Sequence, residues 1–274
     1  MAELRAAVHV AAPLPEAVLV DTPITIPQTE ELVQWIKTIA PGRKLSFIYI
    51  THGHGDHFFG IPVLLKYFPE AVPIATAGTV AHMKQQIEPG YFNPIWKSRF
   101  PDGLIYEPFT IARPIEEITG SSPTDFSIEG GEYSFHAIEV GQTDTYDSTA
   151  LWVPQLSLVA AGDVAYGQVH QMLLETNDAA KRQQWIQAIE KIEALKPTYV
   201  IPGHAQAGEV HGNWHLANTK KYLQDFDELL KSGNTNITDL YSRFIAQYPD
   251  RFNPGVVQVG LSAALQALQA ASSP

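Results

Sequence analysis

Apolar residues along this chain fall first into short runs separated by polar turns. Leu4 to Val10 and Ala17 to Val20 read as strands, and the second runs into Asp21-Thr22-Pro23, a turn signal. Thr29 then precedes apolar residues at helical spacing (Leu32, Val33, Ile36), so a helix capped by Thr29 is expected, stopped by Pro41-Gly42. Leu45 to Ile50 is apolar almost throughout, the pattern of a strand buried on both faces. Ile61 to Tyr67 reads as helix, Val72 to Ala75 as strand and Thr79 to Gln86 as helix, which gives the first half an alternating β/α order.

From Pro89 to Pro123 the periodicity dissolves into aromatic residues and prolines, and a stretch this long without regular structure points either to a lid or pocket wall over 91–123 or to disorder. Phe126 to Ile128, Tyr133 to Val140, Ala150 to Val153 and Leu156 to Ala160 read as strands between Gly, Asp and Pro turns. Lys181 to Leu195 is a periodic helix, followed by Tyr199 to Ile201 as a strand. Thr219 to Lys231 and Ile237 to Gln247 are read as the helices that close the chain, within a helical extension over 215–274. The class is α/β, and 274 residues suit one domain with a large core.

Composition narrows the function. The net charge is −11 and no basic stripe occurs, which argues against a nucleic-acid partner. With no cysteine, disulfides, thiolate ligands and cysteine nucleophiles are all excluded, so a metal would have to be held by His, carboxylate or amide oxygen. The first residues lack a basic start and are broken by Pro13, Pro15 and Glu16, and no run approaches the roughly 18 to 20 apolar residues of a membrane span. A cytoplasmic protein with a small-molecule substrate is the expectation, without membrane partner; a homodimer is compatible.

The chemistry concentrates in Thr51-His52-Gly53-His54-Gly55-Asp56-His57, which follows the buried strand directly and so sits at its carboxyl end, where open α/β sheets bind ligands. Three imidazoles and a carboxylate packed this closely are costly unless something coordinates them. His9, His82 and His136, each alone, read as ordinary surface or core residues, and His211 and His215 carry only a weak signal. There is no Gly-x-Ser-x-Gly elbow and no phosphate-binding loop, so serine hydrolysis and nucleotide cofactors lack support.

The run His52-x-His54-x-Asp56-His57 resembles the signature of the metallo-β-lactamase superfamily. Ala161-Gly162-Asp163 after an apolar strand and Pro202-Gly203-His204 resemble two further motifs of that family, and the resemblance covers about Ala17 to Ala207. It implies a four-layer αββα sandwich of two mixed sheets flanked by helices; only about twenty residues precede the Asp21 turn, where the family builds more of its first sheet, so the chain departs from the family there and a missing edge strand is expected. It also implies two metal sites, one of His52, His54 and the residue at 142, the other of Asp56, His57 and His204, with Asp163 bridging. Where the family carries a histidine this chain has Gln142, a neutral oxygen donor and a weaker zinc ligand than imidazole. One or two zinc ions are expected, with manganese or iron as alternatives.

The resemblance implies a hydrolase that cleaves a small ester, lactone or thioester with a hydroxide generated on the metal. Asp56 would orient the water, and Tyr166 or His170 would donate a proton or anchor substrate. Phe58, Phe59 and Trp96, with Tyr166 and His170, are candidate pocket residues, and Asp144 and Asp21 are candidate partners of imidazole N–H groups. Two alternatives stand beside this: Gln142 marks a non-hydrolytic member, such as a lyase or decarboxylase acting on an aromatic biosynthetic intermediate, or the chain is a metal-poor binding protein that has lost catalysis.

Overall fold

The structure is a computed structural model and describes residues 16–101 and 103–272. The strand expected over Leu4 to Val10, and His9 within it, lie outside the described residues.

The first sheet is β1 (Glu16–Val20), β2 (Lys44–Tyr49), β3 (Val72–Ala75) and β4 (Arg113–Pro114), in that order, with every neighbouring pair parallel. Among the described residues this sheet is therefore parallel, and the expectation of two mixed sheets holds only for the second. That sheet comprises β5 (Asp125–Ile128), β6 (Tyr133–Gly141), β7 (Ser148–Val153), β8 (Leu158–Tyr166) and β9 (Tyr199–His204), antiparallel up to β8 and parallel at β8–β9.

Three apolar clusters account for the layering. Val18, Val20, Tyr49 and Ile74 from the first sheet meet Phe126, Phe135, Leu151 and Ala160 from the second, which sets the sheets face to face. The outer face of the first sheet buries Leu19, Ile48 and Ile50 against α1 (Ile26–Ile39), α3 (Ile61–Tyr67) and α4 (Ala77–Gln86). The outer face of the second buries Val159, Ala161 and Val200 under α7 (Ala179–Glu193), α8 (Trp214–Lys231), α9 (Ile237–Gln247) and α10 (Gly255–Ser272). The order is helix, sheet, sheet, helix, in agreement with the expected sandwich.

Two helix boundaries differ from expectation for identifiable reasons. α1 starts at Ile26 because Thr25 and Gln28 form a reciprocal capping box and Pro27 occupies the first turn; Thr29 lies inside the helix and donates its hydroxyl to Thr25 O at 2.8 Å. α10 lies within the helical extension expected over 215–274, where no separate third helix is read, and buries Val256, Val257, Gly260, Leu261 and Ala264. These positions carry helical spacing, but the Ala-rich run gives little contrast between its faces.

Candidate metal centre

Four chain segments deliver the site, each at a strand end or in a strand connection. After β2, Thr51 to His57 pass through a tight turn into α2 (Gly55–Phe58). Asp163 lies near the end of β8 and His204 closes β9. The β6–β7 connection brings in Asp144. Two glycines make the approach possible. Gly162 has φ +50°, and a Cβ there would lie 2.5 Å from Thr51 Oγ1; a Cβ on Gly203 would lie 2.3 Å from Asp163 Oδ1. The β8–β9 register shifts on both sides of Gly162, re-aiming Asp163 toward the histidine turn.

The ligating atoms fall into overlapping groups. Asp56, His57 and His204 form one, with His204 Nε2 3.6 Å from Asp56 Oδ2. Asp163 stands between His57 (Oδ1 to Nε2, 3.3 Å) and His204 (Oδ2 to Nε2, 3.2 Å), and also groups with His52 and His57. His52 and His54 group with Asp144, whose Oδ2 is 2.9 Å from His54 Nδ1 and 3.9 Å from His52 Nε2.

Gln142 is not in this cluster. Its amide donates to Thr143 O at 3.0 Å and Thr176 Oγ1 at 3.1 Å, so the assignment of Gln142 to the first site is corrected in favour of Asp144. Sequence reasoning had placed Asp144 only as an outer partner of an imidazole. A third carboxylate two residues beyond Gln142 was the available signal, and the connection that turns it inward was not legible.

These residues fit a divalent metal. His52 Nε2, His57 Nε2 and Asp163 Oδ1 are buried without a hydrogen-bond partner although they point into one space, an arrangement too costly to leave uncompensated. The donor set of imidazole and carboxylate suits zinc, manganese or iron. Burial would lower the His57 imidazole, but the carboxylates of Asp163, Asp21 and Asp56 outweigh it and raise it to about 10. Burial and the neighbouring His57 hold His52, 3.9 Å away between ring centroids, well below its usual range. The cluster thus draws positive charge toward its centre.

Outer contacts fix the rings. Asp21, in a left-handed conformation at φ +58°, accepts from Thr51 N, Thr51 Oγ1 and His57 Nδ1 at 2.8, 2.8 and 2.9 Å. A metal ion would displace the proton from Nε2 while Asp21 retains the one on Nδ1, so that Nε2 would present its lone pair to the ion. Asp21→Asn should weaken metal binding by about 10- to 100-fold; chelator competition measures this, and wild-type affinity would refute it. Glu175 plays the matching part for His54, 3.3 Å from its Nε2, and also accepts from Tyr91 and Thr145 hydroxyls. Sequence reasoning missed Glu175, which no motif marks.

A cavity of about 470 Å³ opens beside the cluster. His54, Asp56, Asp144, Asp163 and His204 form its floor, while Ile24, Ile95, Trp96, Phe100, Val256 and Val259 form apolar walls. Trp96, Tyr166 and His170 line it. Phe58 and Phe59 do not: both are buried, Phe59 against Phe92, Trp96 and Phe109 and Phe58 against Phe59, so their assignment to the pocket is corrected to the core behind it. The 91–123 segment forms short helical turns, including α5 (Pro89–Phe92), that place Tyr91 and Trp96 in the cavity wall.

Tyr166 donates its hydroxyl to Asp163 Oδ2 and stacks on His204, so it braces the Asp163 carboxylate. His170 is bound through Nδ1 to the Tyr222 hydroxyl at 2.9 Å, and burial, then Arg251, push it down to about 4. It is therefore neutral at pH 7 and unsuited to donate a proton. Because the folded value lies below the ordinary 6.5, this residue's contribution to stability is complete above pH 6.5 and is lost as pH falls toward 4. The urea midpoint should decline across that interval, and less so in His170→Asn; an identical decline in the variant would discount His170. His211 and His215 do not line the cavity. His215 donates to Val210 O, and His136 pairs with Asp125 at 2.8 Å.

The superfamily profile described as metallo-beta-lactamase matches residues 16–204, more than half of the chain. The chain belongs to the metallo-beta-lactamase superfamily. It is 26% identical over 215 residues to a metallo-beta-lactamase type 2 from Bacteroides fragilis, covering 78% of this chain and 73% of that protein. Over 76 residues it is 34% identical to an atrochrysone carboxyl ACP thioesterase from Cryptosporiopsis, but that match spans 27% of this chain and only 23% of the relative. The metallo-beta-lactamase FIM-1 from Pseudomonas aeruginosa, solved in a mono-zinc form, shares the fold with a TM-score of 0.53 at 19% identity, over 80% of this chain and 82% of that one. Among the described residues of this superfamily member, no helix is long and apolar enough to cross a membrane.

Proposed function

We propose that this protein is a metal-dependent hydrolase of a small ester, lactone or thioester. The observation that carries the reading is the convergence of His52, His54 and Asp144 with Asp56, His57 and His204 around Asp163, at the floor of a largely apolar cavity. Zinc is the favoured ion on the donor set. These groups would hold a divalent ion, which would supply Lewis acidity toward a water and a substrate carbonyl.

The chain's own residues do the rest. Asp56, half-buried at the cavity floor, is placed to accept the proton of an attacking water. Asp21 and Glu175 hold His57 and His54 in their working tautomers. Ile24, Trp96 and Phe100 exclude water from the acyl group. No Ser, Thr or Lys is found among the described residues that line the cavity, and the sequence has no Cys, so a covalent acyl intermediate lacks the usual nucleophiles and water is the better-supported attacker. The names of the relatives, a thioesterase and a β-lactamase, favour acyl transfer to water. The lyase alternative drew on Gln142 as a weak ligand, and Asp144 in that position removes its main support.

The test is hydrolysis of an aryl ester, an aryl lactone, an aryl thioester and a chromogenic β-lactam by zinc-loaded protein, with and without chelator. Chelator-sensitive turnover of at least one non-lactam substrate is expected. Stoichiometric metal with no turnover of any of them would sink the proposal.

A further inference from the structure

Carboxylates are concentrated at and behind the cavity floor. Asp56, Asp144 and Asp163 belong to the candidate ligand set, Asp21 stands behind His57 and Glu175 beside His54. Imidazoles that ligate are neutral, so these carboxylates outnumber the positive charges that two divalent ions bring. Asp144 contributes directly to the imbalance, because an imidazole in its place would add no negative charge.

The opposing charge is sparse. Among the described residues lining the cavity, Arg99 is the only Lys or Arg; it is exposed, and one guanidinium nitrogen donates to Ile95 O at 2.6 Å. Facing the floor are Ile24, Trp96, Phe100, Val256 and Val259, which reward an apolar ligand. Glu175 is held in place by the hydroxyls of Tyr91 (3.2 Å) and Thr145 (2.6 Å), so its charge stays directed along the cavity wall.

We propose that the cavity takes an uncharged, predominantly apolar or aromatic acyl group and turns away ligands that carry an anion to the floor. The inference rests on the metal-binding reading above and narrows its substrate class. An uncharged aryl ester, lactone or thioester fits; the same scaffold bearing a free carboxylate next to the reacting carbonyl does not, since the anion would enter a region of like charge with little solvent to screen it.

The experiment is calorimetric titration of zinc-loaded protein with a matched pair of non-hydrolysable probes, 2-acetylnaphthalene and 2-naphthoate. The neutral ketone should bind at least about tenfold tighter, and added salt should narrow the gap by improving naphthoate alone. Glu175→Gln should narrow it in the same direction. Equal or tighter binding of naphthoate by the wild type, failure of both probes to bind, or a gap indifferent to both salt and Glu175→Gln would overturn the proposal. Failure of the hydrolase reading is separately visible: the ketone would still be preferred while no ester, lactone or thioester is turned over. Conversely, chelator-sensitive hydrolysis with naphthoate bound as tightly as the ketone would refute only the charge selection.

Discussion

Replacing Asp163 with alanine is expected to leave the protein without tightly held metal and to abolish chelator-sensitive hydrolysis. The carboxylate reaches His57 Nε2 with one oxygen and His204 Nε2 with the other, and it groups with His52 as well, which places it between the His52 side and the His204 side of the cluster. Removing an outer partner of a metal ligand costs about 10- to 100-fold in affinity, and removing a shared ligand should cost more at each site. Alanine also leaves the Tyr166 hydroxyl and His204 without their acceptor. Asp163→Asn therefore accompanies it: one carbonyl oxygen remains for Tyr166, but the anionic bridge is gone. Metal analysis after dialysis, with circular dichroism to verify folding, decides the matter; two equivalents of metal retained in a folded Asp163→Ala protein would dismantle the site as described.

The second large effect separates two neighbours. Asp144→Ala should lower affinity at the His52–His54 side by at least about 100-fold, while Gln142→His should leave it near the wild-type value. Asp144→His should restore binding, because imidazole is a good zinc ligand in the same position. The contrast follows from geometry: Gln142 leaves β6 just after Gly141, at φ +76°, and turns toward Thr176, whereas Asp144 is buried against both histidines. Competition against a chromogenic chelator reads all three variants. A gain in affinity from Gln142→His, matched by indifference to Asp144→Ala, would reverse the assignment.

These two residues also mark where sequence reading stopped. His52, His54, Asp56 and His57 were legible because they fall within six residues directly after one buried strand, so local pattern and spatial outcome coincide. Asp163 and His204 were legible only through family resemblance, since nothing local distinguishes an aspartate after Gly162 from a turn aspartate. Asp144 was misassigned because a connection between strands can advance its ligand by two residues without changing any periodicity. Phe58 and Phe59 illustrate the converse. Adjacency to the motif suggested a pocket, but α2 is one short turn and carries both rings into the core under the 91–109 segment. Glu175 and the start of α10 reach the cavity from distant parts of the chain, and only tertiary packing reveals them.

The family profile ends at His204, yet Val256 and Val259, some fifty residues later, form part of the cavity wall. Reactivity and selectivity are thereby entrusted to different lengths of polypeptide: one fixed at strand ends, the other borrowed from a tail helix and an aromatic flap. Exchanging side chains along the first two turns of that helix should retune which ligands are admitted while the metal-binding apparatus stays as it is, giving this scaffold a route to new substrates that never passes through a loss of chemistry.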